Sequence, residues 1–161
     1  MKNKLRLILF IPVMVLSFTN THFAEDQSNL AKFLIRNFDP LEVPTVGSND
    51  PDYVIVEFFD YRCGYCKRVF STIQALLKED GNIRYVLKEL PILGPDSIFA
   101  SQAALAVWNT TPEKYLSFHG ALMASRGNLS AEKVMAVAKN LALDVDALTK
   151  SMKNKSVNTK I

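Results

Sequence analysis

Two cysteines, Cys63 and Cys66, stand three positions apart in the chain with Gly64 and Tyr65 between them. On a helical turn that spacing brings the Cα atoms within the roughly 4.4–6.8 Å a disulfide requires. The pair follows an apolar run, Tyr53 to Phe59, and opens a stretch of helical periodicity. A sulfur at a helix N-terminus faces unpaired backbone N–H groups and the positive end of the helix dipole, both of which favour the thiolate. Lys67 and Arg68 add positive charge, and Asp60 opposes them. Cys63 therefore reads as the attacking sulfur. Cys66, one turn further in, reads as the resolving sulfur that expels a mixed-disulfide partner.

Other uses of two cysteines compete with this reading. A structural disulfide within one turn closes a tiny loop and stabilises little. A metal centre needs about two further ligands. Beyond residue 24 the chain offers one histidine, His119, distant in sequence and expected far away in a helical region. Metal capture by Cys63 and Cys66 is the weaker alternative. No cofactor is expected, because dithiol exchange needs none.

Glu57 breaks the apolar run YVIVEFF six residues before Cys63. A carboxylate buried in a strand is costly when ionised and titrates high, and such groups cluster at functional sites. In the strand beneath the cysteines it is placed to exchange a proton with Cys66.

Three elements must hold these residues. Tyr53 to Phe59 predicts a central strand buried on both faces. Val69, Phe70, Ile73, Leu76 and Leu77 recur at helical spacing up to the turn Asp80-Gly81-Asn82, and Ile83 to Leu90 forms a second strand. This is a βαβ unit with a parallel pair. From Asp96 onward no strand is expected. Asp96, Thr111 with Pro112, Ser130 and Asp144 each begin an amphipathic helix, and Lys153 to Ile161 forms a polar tail. Ahead of the βαβ unit, Ser28 caps a short helix over residues 30–38, and Pro40 to Asp52 is a linker without periodicity.

Of 161 residues 48% are hydrophobic, enough for one domain with a proper core and too many for disorder. Three of the 19 basic residues, Lys2, Lys4 and Arg6, lie ahead of residue 25, leaving 16 basic against 16 acidic. A neutral body carries no electrostatic footprint for nucleic acid. The basic start and the twelve-residue apolar stretch Leu7 to Phe18 match a secretory signal ending near Ala24, and are short for a bilayer span of about 20 residues. Export, into the periplasm, is expected, with membrane attachment only if the signal stays uncleaved. The expected divisions are 1–24 signal, 25–52 helix and linker, 53–95 βαβ portion and 96–161 helical subdomain.

The run VIVEFFDYRCGYCK, followed by a strand and PILGPDSIFASQAALA, resembles the DsbA-like family of thiol–disulfide oxidoreductases over roughly residues 50–150. The resemblance implies an α/β, thioredoxin-like core with a helical insertion. It matches Cys63 to the family's nucleophile, Cys66 to its resolving cysteine and Glu57 to its buried acid. It implies substrates among unfolded or misfolded secreted proteins, and a redox partner protein. Gly64-Tyr65 replaces the Pro-His of the best-known oxidising member, which points to a weaker oxidant or an isomerase. The family's cis-proline loop, C-terminal β-hairpin and terminal helix have no counterpart after Pro112, the last proline. The expectation is a chain like the front two-thirds of a member, as from a truncated or frame-shifted gene. A non-catalytic remnant or binding module, tethered to the membrane, is the alternative reading.

Overall fold

The structure, a computed structural model, describes residues 43–161 together with Asn29. The expected signal and the helix expected over 30–38 lie outside the described residues. The chain first forms β1 (Thr45–Gly47) and β2 (Tyr53–Phe59), then α1 (Gly64–Glu79) and β3 (Ile83–Glu89). Strands β2 and β3 run parallel, in register from Tyr53 opposite Ile83 to Phe59 opposite Glu89, with α1 as the crossover. The βαβ unit stands where its apolar periodicities place it.

The sheet order is β1-β3-β2, so β3 and not β2 is central among the described strands. This corrects the expected burial of Tyr53 to Phe59 on both faces: Tyr53 is 66% exposed and Phe58 56%. The cause is β1, which lies in the segment expected to be an irregular linker. Its three residues pair antiparallel with Thr45 opposite Val86 and so cover the far side of β3. Gly47 permits the close passage. Its φ is +96°, and a Cβ there would stand 2.2 Å from the Ile83 carbonyl oxygen, so no other residue fits.

After β3 the chain is helical. α2 (Pro95–Thr110) leads through a 3₁₀ turn, Pro112–Lys114, into α3 (Tyr115–Ala124). α4 (Ala131–Asn140), α5 (Val145–Met152) and α6 (Lys155–Asn158) follow. Ser130 caps α4 by accepting the Lys133 N–H, and Asp144 caps α5 by accepting those of Asp146 and Ala147. Asp96 does not cap α2. The helix begins at Pro95 after Gly94, whose φ is +105°, and Asp96 lies in its first turn. The ring of proline fixes the first helical φ, which starts the helix two residues early.

The expected polar tail is corrected as well. Within it Val157 is fully buried on α6, and Gln102 donates to Asn158 at 2.7 Å. One apolar side chain in a polar stretch is enough to dock it. The core runs without a break from Phe59, Tyr61 and Phe70 of the βαβ unit to Ala103, Ala104, Tyr115 and Phe118 of the helices. Alanines on α2 let the other helices approach it closely, so strands and helices bury one apolar interior.

Candidate active site

Cys63 occupies the N-cap of α1 with extended backbone angles, and its sulfur accepts the Cys66 N–H at 3.3 Å. The interaction is the one a serine or aspartate cap would make, with sulfur as acceptor. Both cysteines are free and half-buried. The Cys63 thiol is held below its ordinary value, first by the Cys66 thiol hydrogen bond and then by backbone N–H groups of Cys66 and Tyr65. Burial and the Asp60 charge oppose the shift. Burial pushes the Cys66 thiol up to about 11, assisted by its bond to Cys63 and the charge of Glu57. One sulfur is ready to attack and the other keeps its proton.

The expected help from Lys67 and Arg68 is corrected by the geometry. Lys67 reaches across to donate to the Ser125 carbonyl at 2.5 Å, and Arg68 lies over the Tyr65 ring at 4.3 Å. The Cys66 thiol and, after it, backbone N–H groups fixed by the helix set the acidity of Cys63. The Tyr65 side chain is 76% exposed, and Tyr65 acts on the sulfur through its backbone N–H.

Glu57 lies on β2 opposite Leu87 and accepts a hydrogen bond from the Tyr85 hydroxyl. It is half-buried and has a partner in Tyr85, short of the burial expected of a strand covered on both faces. Its carboxyl still titrates above the ordinary range, because desolvation outweighs the Tyr85 bond. The Tyr85 hydroxyl is pushed up in turn by burial, by Glu57 and by Cys66. Cys66, Glu57 and Tyr85 thus form one electrostatic group.

Two residues beside the cysteines carry more than their position in the sequence suggests. Asp60, buried, accepts from the Arg62 N–H and the Ser97 hydroxyl on one oxygen and from the Leu93 N–H on the other, at 2.7–2.9 Å. Its carbonyl accepts the Cys63 N–H at 3.0 Å, closing a turn over residues 60–63. Tyr61, inside that turn, is fully buried and bonds to Glu89 and His119. His119 is therefore not remote from the βαβ unit: its ring packs against Phe59 at 4.8 Å and against Phe70 of α1 at 4.7 Å. Among the described residues no group of three or more potential metal ligands gathers anywhere.

A cleft of about 130 Å³ opens beside the sulfurs, lined by Phe58, Phe59, Asp60, Cys63, Cys66, Leu90, Ile92 and Leu93. Its walls are apolar apart from Asp60 and the cysteines. No helix among the described residues is long and apolar enough to cross a membrane.

A family model described as "Thioredoxin" matches residues 41–161. Among solved structures, the chain superposes on a thioredoxin-like oxidoreductase from Silicibacter pomeroyi with TM-score 0.71 and 40% identity, covering 76% of this chain and 69% of that one. It superposes on the thiol-disulfide exchange protein alpha-DsbA2 of Wolbachia pipientis with TM-score 0.70 and 31% identity, covering 84% and 76%. Disulfide bond formation protein D of Bacillus subtilis is 28% identical over 95 residues, 56% of this chain and 43% of that protein. The chain spans only part of its curated relatives, from 17% of a Salinispora arenicola Na(+)/H(+) antiporter to 59% of a Bacillus anthracis relative.

Proposed function

The chain belongs to the thioredoxin superfamily, in its DsbA-like branch, and from that premise we propose that it is a protein thiol–disulfide oxidoreductase working through Cys63 and Cys66. The observation that carries this reading is the asymmetry of the dithiol: an N-cap sulfur held acidic by the Cys66 thiol and by backbone N–H groups, beside a sulfur pushed up to about 11.

The Cys63 thiolate attacks one sulfur of a substrate disulfide, forming a mixed disulfide and releasing the other substrate sulfur as thiolate. Cys66 then gives its proton to the Glu57 carboxylate. Its thiolate attacks the Cys63 sulfur, the mixed disulfide breaks, and the second substrate thiolate leaves. The substrate gains two electrons and the dithiol becomes the Cys63–Cys66 disulfide. In reverse, the same steps oxidise a substrate dithiol. The apolar cleft at Phe58, Leu90 and Ile92 takes chain segments flanking the substrate cysteine, as in unfolded proteins. Residues 1–24 direct the chain out of the cytoplasm, where such disulfides persist, and a redox partner protein restores the working oxidation state.

The test is reduction of insulin by the full chain. Wild type should turn over, and Cys63→Ser should abolish exchange while leaving the far-ultraviolet circular dichroism unchanged. Undiminished exchange in Cys63→Ser would overturn the assignment.

A further inference from the structure

Beneath the reactive turn lies a group of buried polar side chains that thiol exchange does not use. Glu89, at the end of β3, is buried and accepts from the Ser101 hydroxyl of α2 at 2.7 Å and from the Tyr61 hydroxyl at 3.1 Å. The Tyr115 hydroxyl of α3 lies 3.5 Å from the same Glu89 oxygen. On its other side the Tyr61 hydroxyl meets His119 Nδ1 at 3.0 Å, and His119 Nε2 is buried without a hydrogen-bond partner.

The single Tyr61 proton orders this chain. If it went to His119, the imidazole would carry its own proton on Nε2, a buried donor with no acceptor, which is a costly arrangement. If it goes to Glu89, Nδ1–H donates to the Tyr61 oxygen and Nε2 is left with only an unused lone pair. The second arrangement leaves no buried donor unpaired, and the hydrogen-bond network assigns it. His119 donates to Tyr61, and Tyr61 donates to Glu89.

For stability alone such a group is a poor choice. Replacing buried hydrogen-bonded partners by apolar ones of the same shape is nearly neutral, and replacing buried charge is often stabilising. A phenylalanine at 61 would fill the same volume between Phe59 and His119, whose rings it meets edge-on at 5.2 and 5.3 Å. What phenylalanine would not do is fix the ring's rotation and depth. Tyr61 is the second residue of the turn closed by the Cys63 N–H and the Asp60 carbonyl, two positions before the sulfur. Asp60 holds the start of that turn, and the fully buried Tyr61 anchors it into the core.

We propose that Glu89 and His119, acting through Tyr61, are positioning residues for Cys63: they lock the turn so that its sulfur stays on the Cys66 N–H. The proposal rests on the reading of Cys63 as the nucleophile. Releasing Tyr61 lets the turn rock, lengthens the N–H to sulfur bond and weakens the thiolate. Strands, active-site helix and helical subdomain all contribute, so the packing of the helices reaches the acidity of the sulfur.

The test uses the full chain in four forms: wild type, Tyr61→Phe, Glu89→Leu and His119→Phe. For each, the alkylation rate of Cys63 by iodoacetamide is followed against pH, with thermal unfolding in parallel. Tyr61→Phe should lower the alkylation rate at neutral pH by between about three- and tenfold, as a tenfold change accompanies one pKa unit. Its pH profile should move to higher pH. His119→Phe keeps the ring and loses the donor, and should move the same way by less. Glu89→Leu removes the acceptor of the Tyr61 hydroxyl and should move the profile in the same direction as Tyr61→Phe. Tyr61→Phe or His119→Phe with a wild-type profile and only a lower melting temperature would overturn the proposal, leaving a structural staple. If Tyr61→Phe fails to fold, the profile of His119→Phe decides alone. A wild-type Cys63 that alkylates no faster than a free thiol would instead overturn the reading of Cys63 as nucleophile, a separate outcome.

Discussion

The Cys66 amide donates to the Cys63 sulfur at 3.3 Å, so the residue that completes the disulfide also stabilises the thiolate that begins it. The same proximity raises the Cys66 thiol, whose proton sits beside a neighbour carrying negative charge. Attack and resolution are divided between the sulfurs by the first turn of one helix.

Glu57 is the nearest acid to the resolving step in this electrostatic group, so Glu57→Gln should slow collapse of the mixed disulfide more than its formation. General base assistance contributes at least about a hundredfold where it operates, and the mixed disulfide should accumulate by a comparable factor in stopped-flow traces. Glutamine still accepts from Tyr85, so folding should be kept. The wild-type rate should fall as pH drops through the raised Glu57 value, and the variant should lack that inflection. Equal collapse rates in both would remove Glu57 from the step.

The Tyr65 side chain is exposed and adds no charge beside the sulfur. Tyr65→His should place an imidazole near the helix N-terminus, lower the Cys63 pKa and raise the reduction potential together, because a stabilised reduced form makes a stronger oxidant. Thiolate absorbance against pH and equilibration with glutathione read the two quantities. An unchanged Cys63 titration would show that the dipeptide does not set the redox poise.

Asp60 raises the Cys63 thiol through its charge while its side chain accepts three hydrogen bonds. Asp60→Asn should separate these effects. Acidity at Cys63 should increase with the charge gone. Stability should fall by about 2 kcal/mol, since the Leu93 N–H then faces an amide NH₂ where it had an acceptor. The urea midpoint and the Cys63 titration midpoint should both fall, and a Cys63 titration that stays in place or moves to higher pH would contradict the assignment.

Stability should depend on pH through Glu89 and His119. Burial pushes Glu89 up to about 8 from 4.5 and His119 down to about 3 from 6.5. Folded Glu89 keeps a proton that the unfolded chain releases, so its contribution is full below pH 4.5 and is lost as pH rises toward 8. Unfolded His119 takes up a proton that the folded chain refuses, so its contribution is full above 6.5 and is lost as pH falls toward 3. The pair gives a level stretch between 4.5 and 6.5 and a decline above it, at most about 1.4 kcal/mol per pH unit. Glu89→Gln should remove the decline between 6.5 and 8 in urea midpoints, and a variant profile parallel to wild type would contradict this.

The sequence made local features legible. The caps at Ser130 and Asp144, the bounds of Tyr53 to Phe59 and the place of Cys63 at a helix start all follow from short-range rules. Features that depend on distant pairing were hidden. An apolar run reads alike in a central or an edge strand, and the position of β2 depends on β1, three residues that pair far along the chain. Lys67 was charge without direction until Ser125, 58 positions away, received it. Glu89 interrupts IRYVLKEL just as Glu57 interrupts YVIVEFF, but its meaning depends on Tyr61, 28 positions earlier, and on His119 of α3.

The central claim, that Cys63 is the acidic attacking sulfur of an exchange-active dithiol, is tested most directly by trapping its covalent product. Reduced full-length Cys66→Ser is mixed with a disulfide-bonded peptide across a pH series, and the adduct is mapped by mass spectrometry. Every adduct should sit on Cys63, accumulate stoichiometrically for want of a resolving thiol, and form at a rate that inflects below the free-thiol value of about 8.5. Absence of a Cys63 adduct, or an inflection at or above that value, would contradict the account.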